Sequence, residues 1–262
     1  MMLEINHISK TFNPGTINEK QALTDVTLHM EQGEFATIIG ANGAGKSTLF
    51  NAIAGSFMTD SGDISLDGED VTFAPDYIRA RKIGRLFQDP MRGSAPGMTI
   101  EENLALACGN GGWLSHVSKK EKNDLRDKIA VLGMGLEDRM NQPVGLLSGG
   151  QRQALTLMMA TIVPPKILLL DEHTAALDPG TADKVIEITK NVVAEHNLTC
   201  LMITHNMSSA LELGSRTIMM DMGRIVLDFS GPEREGLTVD DLLLRFREDT
   251  GRKLDNDRML LS

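Results

Sequence analysis

Cysteine and large aromatic residues are scarce in this 262-residue chain, which has two cysteines, one tryptophan and one tyrosine. Cys108 and Cys200 form no CxxC pair and sit in apolar surroundings, so a buried, reduced pair in a cytosolic protein is expected. Positive charge is short as well: 26 Lys and Arg stand against 36 Asp and Glu, a net charge of −10. Phosphate backbones reward basic surfaces, so nucleic acid is not an expected partner. Long apolar runs are missing too. The longest, such as Leu155 to Val163, fall well short of the roughly 18 residues a spanning helix needs. The start, Met1 to Asn6, has neither the charged nor the apolar region of a signal peptide. Any membrane role is therefore expected to come through a partner. What remains, 41% apolar and 24% charged residues, is ordinary for a soluble globular protein of one large or two small domains.

One stretch organises the rest. Phe35-Ala36-Thr37-Ile38-Ile39 has the length and β-branched content of a buried strand. Gly40-Ala41-Asn42-Gly43-Ala44-Gly45-Lys46-Ser47-Thr48 follows, and Thr48 to Ala54 reads as a helix. Strand, glycine-rich turn and helix are the context that separates a phosphate loop from an ordinary βα turn. The glycines let successive N–H groups face inward, and the helix N-terminus adds its positive end. Lys46 is expected to reach the β- and γ-phosphates, and the Ser47 hydroxyl to ligate Mg²⁺.

Taken in order, Leu3, Ile5 and Ile8, then Leu23, Val26, Leu28 and Met30, predict two antiparallel strands. Ser61 to Gly68 reads as turn, short strand, turn, and Ile83 to Phe87 as a strand ending at Gln88-Asp89-Pro90. From about Arg92 the texture becomes helical, with capping-box spacing at Thr99–Glu102 and Ser118–Glu121 and breaks at Gly109–Gly112 and Gly133–Gly135. Strand texture returns in Lys166 to Leu170, followed by a helix over Thr181 to His196 and a strand over Thr199 to Ile203. Ser208 to Leu213 predicts a short helix. Thr217 to Met220 and Arg224 to Leu227 predict a hairpin, and Leu242, Leu243 and Phe246 a last amphipathic helix before a loosely held tail beyond Gly251. A helical segment inserted into an α/β core is the arrangement these elements imply.

Three further motifs carry chemistry. Ile167 to Leu170 delivers Asp171 and Glu172 at a strand end, where alternation gives the two acids different directions and so different tasks. Asp171 is placed to hold the hydration shell of Mg²⁺, and Glu172 to orient or deprotonate an attacking water. Leu147-Ser148-Gly149-Gly150-Gln151 precedes a helix, and its spacing reads both as a capping box and as a glycine-bared anion site. His205 follows a strand, where a lone histidine is more often structural than catalytic. Phe12, near a strand end, reads equally well as core or as a stacking platform.

At this point the chain resembles the nucleotide-binding subunit of an ATP-binding cassette (ABC) transporter, over about residues 3 to 230 and with the motifs in the family order. The resemblance implies an α/β P-loop NTPase core with a mainly parallel sheet, an N-terminal antiparallel β subdomain and an inserted helical subdomain. It places the core at 1–91 and 161–230, the helical signature subdomain at 92–160, and a C-terminal helix and tail at 231–262. It makes Gln88 the glutamine loop touching Mg²⁺, Asp178 the D-loop aspartate, His205 the switch histidine and Phe12 the adenine platform. It implies two copies that sandwich two ATP molecules head to tail, each phosphate loop facing the other copy's Ser148, Gly149, Gly150, Gln151 and Asp178. Integral membrane permease subunits and, indirectly, an extracytoplasmic solute-binding protein are the further partners implied, with the chain at the cytoplasmic face of the membrane. Two positions depart from the family pattern: His173 stands where proline is usual and Asn206 where aspartate is common.

Hydrolysis of ATP to drive import is the leading expectation, for an amino-acid-type solute by the likeness of Asp171 to Pro179 and Gln88 to Met91. A soluble ABC ATPase of DNA repair or translation is disfavoured by a single cassette with only about a hundred residues between phosphate loop and signature. A non-catalytic sensor is disfavoured by intact Lys46, Asp171, Glu172 and His205. An exporter ATPase remains the alternative. The loop Asp89 to Ile100, apolar through Pro90, Met91, Ala95, Pro96 and Met98, is the expected docking surface for a permease.

Overall fold

The computed structural model describes residues 1–109 and 118–251. The expected break at 110–112 and the tail beyond Gly251 lie outside the described residues. In chain order the strands are β1 (Leu3–Phe12), β2 (Lys20–Met30), β3 (Phe35–Ile39), β4 (Ser61–Leu66), β5 (Glu69–Asp70), β6 (Ile83–Leu86), β7 (Ile167–Asp171), β8 (Thr199–Ile203), β9 (Arg216–Asp221) and β10 (Arg224–Ser230). The helices are α1 (Lys46–Ala54), α2 (Asp76–Arg79), α3 (Ile100–Ala107), α4 (Lys119–Ala130), α5 (Gly149–Thr161), α6 (Pro179–Glu195), α7 (Met207–Leu213) and α8 (Val239–Thr250). The chain divides into two compact units, one of residues 1–83, 166–171 and 197–262, the other of 84–165 and 172–196. The first boundary falls inside β6.

The first unit holds two sheets. One is antiparallel, in the order β2-β1-β4-β5, with Leu3 opposite Met30 and Ile5 opposite Leu28. The other carries the parallel set β9-β3-β8-β7, with β10 antiparallel on β9. β3, β7 and β8 are buried nearly end to end, which is why their apolar runs do not alternate. Leu49, Phe50 and Ile53 of α1 are fully buried in the same core as Leu3, Ile5, Ile167 and Leu201. Each such side chain contributes about 2 kcal/mol by leaving water. α7 and α8 add a smaller cluster through Met207, Ala210, Leu242 and Phe246.

One buried cation shapes this unit. Arg79, 1% exposed, donates to the carbonyls of Ala52 and Ile53 at the end of α1 (2.8 and 3.0 Å) and to those of Thr72 and Ala74 (2.9 Å each). Burial lowers its pKa, and the nearby Asp70 works against that. A cation suits the negative end of a helix, and these carbonyls have lost their water. Arg79→Met takes a donor from all four, of which Ala52 keeps the Gly55 N–H. The expected loss is about 3 kcal/mol, which for a chain of this size lowers the melting temperature by roughly 6–12 °C. Tyr77→Ala, on the exposed side of α2, should leave melting in place. A melting shift under about 1 °C in Arg79→Met would contradict the role.

The second unit is helical. Thr99 and Ser118 cap α3 and α4 with full capping boxes, as their spacing predicts. α5 and α6 pack on one another.

Three local readings are corrected. α1 begins at Lys46, two residues earlier than the apolar pattern suggests, because helical geometry starts directly after Gly45, its N-cap. Ser61-Gly62 is not a turn but the start of β4, whose pairing with β1 shifts between Asn6 and Ser9. The two free cysteines are not equally buried: Cys200 is, Cys108 is half-buried at the end of α3, and burial raises both thiol pKa values.

Candidate functional site

The first unit brings three predicted elements to one edge of its parallel sheet. Ile38 pairs with Ile203, and Ile203 with Asp171, so β3, β8 and β7 end level. Beyond these ends stand the loop Gly40–Gly45, then Thr204-His205, then Asp171 with Glu172 as its next residue. Parallel strands place their carboxyl ends on one side, which is where α/β sheets bind ligands.

The loop is shaped by its glycines. Gly45 is the N-cap of α1 at φ +104 and provides no side-chain cap. A methyl group there would lie 2.8 Å from the Ala22 carbonyl, so only glycine fits. The start of α1 therefore carries no capping side chain. Lys46 is 5% exposed and donates to the carbonyls of Gly40 (2.7 Å) and Ala41 (3.2 Å), so its amine lies across the loop. Ser47 is exposed and Thr48 half-exposed beside it. Among the described residues no group of three or more His, Cys, Asp and Glu could form a metal cage. The Ser47 hydroxyl and the Asp171 carboxylate are oxygen donors of the kind that suits Mg²⁺.

Phe12 closes β1 opposite Lys20, two residues along β2 from the Ala22 that touches Gly45. Its half-buried ring meets Phe57 edge-on, with centroids 5.2 Å apart and planes at 83°. Lys10 Nζ lies 5.8 and 5.5 Å from the two ring centroids and is held by Asp60 at 2.7 Å. Phe57 escaped the sequence reading; its only signal is an aromatic two residues after the glycine that ends α1.

His205 is half-buried, and Asn206 after it is the N-cap of α7, accepting from Ser209 N–H at 2.8 Å. Asn and Asp cap helices about equally well, which accounts physically for the departure at this position.

The second unit carries the remaining predicted residues. Gln88 is exposed, just past β6, and Asp89 caps the turn Pro90–Gly93. The guanidinium groups of Arg85 and Arg92 lie 4.7 and 5.2 Å from the Phe87 ring. The loop that follows is less open than its composition suggests. Asn103, 0% exposed, accepts from Ala95 N–H and donates to the carbonyls of Ala95, Met98 and Thr99. Ala95, Pro96 and Met98 are half-buried in consequence, and Met91 is the exposed apolar side chain of the segment.

Ser148 caps α5 with a complete capping box: it accepts from Gln151 N–H at 3.3 Å, and Gln151 accepts from Ser148 N–H at 3.2 Å. Gln151 also donates to the Met134 carbonyl. A methyl group on Gly150 would lie 2.0 Å from Thr181 Cγ2, and one on Gly149 would lie 3.2 Å from Leu177. Gly150 thus has a packing reason that the sequence could not reveal: it lets the start of α5 meet the start of α6. Asp178 caps α6 by accepting from Thr181 N–H at 3.1 Å. Hydrogen bonds from the Thr181 side chain and backbone lower its carboxyl pKa. Gly150 and Asp178 therefore both meet Thr181.

Glu172 is half-buried with a left-handed backbone, φ +46. His173 beside it is 2% exposed, and burial pulls its pKa down to about 4, so it is neutral at physiological pH.

Comparison with known proteins shows the family. The family model described as ABC transporter matches residues 23–175. A tyrosine transport ATP-binding protein of Clostridioides difficile is 44% identical over 248 residues, covering 94% of this chain and 98% of the relative. A methionine import ATP-binding protein, MetN, of Lactobacillus delbrueckii subsp. bulgaricus is 35% identical over 86% of this chain, which spans 64% of that relative's length. Among solved structures, the dimeric post-hydrolysis state of the ATP-binding cassette MJ0796 bound to ADP and Pi superposes with a TM-score of 0.75, at 28% identity over 87% of this chain and 98% of that one. The ADP conformation of the cassette MJ1267 gives 0.77, at 26% identity over 94% and 98%.

Proposed function

This chain belongs to the ABC transporter family as an ATP-hydrolysing subunit, and we propose that it powers import of an amino-acid-type solute through a separate membrane permease. The observation that supports this most is the near full-length likeness to a tyrosine transport ATP-binding protein, with methionine import proteins next. In this reading the subunit acts peripherally, on the cytoplasmic face, through its permease; no described helix is long and apolar enough to cross a membrane. An extracytoplasmic solute-binding protein delivers the solute in this reading. The domain organisation proposed with it is a core of 1–91 and 161–230 with a helical signature subdomain at 92–160.

Each residue then has one task. Phe12 stacks on adenine. The N–H groups of residues 41 to 48 and the Lys46 amine hold the phosphates, the amine exchanging its two loop carbonyls for phosphate oxygens. Ser47, Asp171 and Gln88 would hold Mg²⁺ by their oxygens, and its charge would offset that of the phosphates. Glu172 orients a water and takes its proton, and His205 donates to the γ-phosphate. Ser148, Gly149, Gly150, Gln151 and Asp178 act on ATP held by a second copy of the chain, a role for which the dimeric form of a related cassette is the support.

Coupling runs through Gln88 into Asp89–Ile100, with Met91 as its exposed apolar contact. Met91→Glu is expected to leave ATPase activity of the isolated subunit within about twofold while abolishing solute-stimulated hydrolysis in proteoliposomes carrying the permease. Equal loss in both settings would make Met91 a folding residue and remove it from the permease contact.

A further inference from the structure

Thr189, 2% exposed on α6, has one hydroxyl and so one proton to give. That proton goes to the Val185 carbonyl, one turn back, at 2.8 Å. His173 Nε2 stands 3.2 Å from the same hydroxyl oxygen. The oxygen can therefore only accept there, and the imidazole must donate. This puts the proton of His173 on Nε2 and leaves Nδ1 a bare lone pair, buried and without a partner among the described residues.

The bond ties the residue next to Glu172 to the middle of α6. The same helix holds the far end of the loop, because Asp178 caps its N-terminus. Between the two anchors, Ala175 N–H donates to the Glu172 carbonyl (3.0 Å) and Leu177 N–H to the Thr174 carbonyl (3.1 Å). Glu172 itself keeps a left-handed φ of +46, which a residue with a side chain holds only where its surroundings impose it. A proline at 173 would stiffen this loop through its ring. Histidine has no such ring constraint in its backbone, and its side chain is what reaches a fixed element.

We propose that His173 is a positioning residue: its Nε2–H bond to Thr189 fixes the backbone of Glu172 and with it the direction of that carboxylate. The inference rests on the reading of Glu172 as the group that activates water.

Thr189→Val removes the acceptor at nearly constant shape, and Thr189→Ser keeps it. The expected result is a fall in kcat of about tenfold for Thr189→Val with the KM for ATP within about twofold, and near-native kcat for Thr189→Ser. Native kcat in Thr189→Val, or equal losses in both variants, would overturn the proposal. Imidazole ¹⁵N NMR of the unmodified chain checks the bond without any substitution: the proton belongs on Nε2, and a proton on Nδ1 overturns the assignment. Glu172→Gln run alongside separates the two readings. If Glu172→Gln keeps its turnover, it is the role of Glu172 that fails; if Glu172→Gln is inactive while Thr189→Val is native, it is the role of His173.

Discussion

Glu172→Gln is expected to bind ATP as the unmodified chain does and to lose turnover by about 10²- to 10⁴-fold, the usual contribution of a general base. The amide keeps the size of the carboxylate and takes no proton, so the ATP-bound state should accumulate. Lys46→Ala should fail differently. Its amine is the one cation of the loop Gly40–Thr48, and in the structure it already bridges the Gly40 and Ala41 carbonyls. Removing it takes a charge from the phosphates and a brace from the loop together. A charge-assisted hydrogen bond is worth about 1.5–3 kcal/mol, so nucleotide affinity should fall by roughly 10- to 150-fold. Steady-state hydrolysis with a separate nucleotide-binding titration distinguishes the two. Near-native turnover in Glu172→Gln would remove it from the chemistry.

The legible part of this molecule was the part written in contiguous residues. β3, β7 and β8 show as unbroken apolar runs because both faces are covered, and the capping boxes at Thr99, Ser118 and Ser148 follow from a spacing of three. The phosphate loop shows for the same reason: its strand, glycines and helix adjoin. What escaped depends on partners distant in sequence. Arg79 lies in a polar stretch and reads as surface, yet two of its carbonyl partners, Ala52 and Ile53, come from the end of α1. Asn103 looks like an ordinary polar residue in α3, and it ties down a loop expected to be open. His173 shows only as a departure from the family pattern; Thr189, sixteen residues on, gives it a task. Gly150 reads as an anion site and is also the contact point of two helices.

The second large effect concerns Ser148. Because it is the N-cap of α5, an arginine there both fills the proposed anion site and removes a cap worth about 1 kcal/mol. Ser148→Asp separates these effects. Aspartate caps a helix as well as serine does, but sets a negative charge against the partner copy's phosphates. Both variants should lose at least about 100-fold in hydrolysis, while nucleotide still binds the phosphate loop with native affinity. Melting should fall only for Ser148→Arg. Loss of activity in proportion to loss of stability would reduce Ser148 to its cap.

The central claim is that each catalytic site is shared between two copies of this chain, and mixing two inactive variants tests it most directly. In a heterodimer of Ser148→Arg and Lys46→Ala, the intact phosphate loop of the first faces the intact Ser148 of the second, and the other site carries both lesions. Random pairing makes half of the dimers mixed, so if one site can fire alone the mixture should recover about a quarter of native ATPase activity. A mixture no more active than its inactive parents at every ratio, or a Ser148→Arg chain that hydrolyses ATP at the native rate alone, would contradict the account.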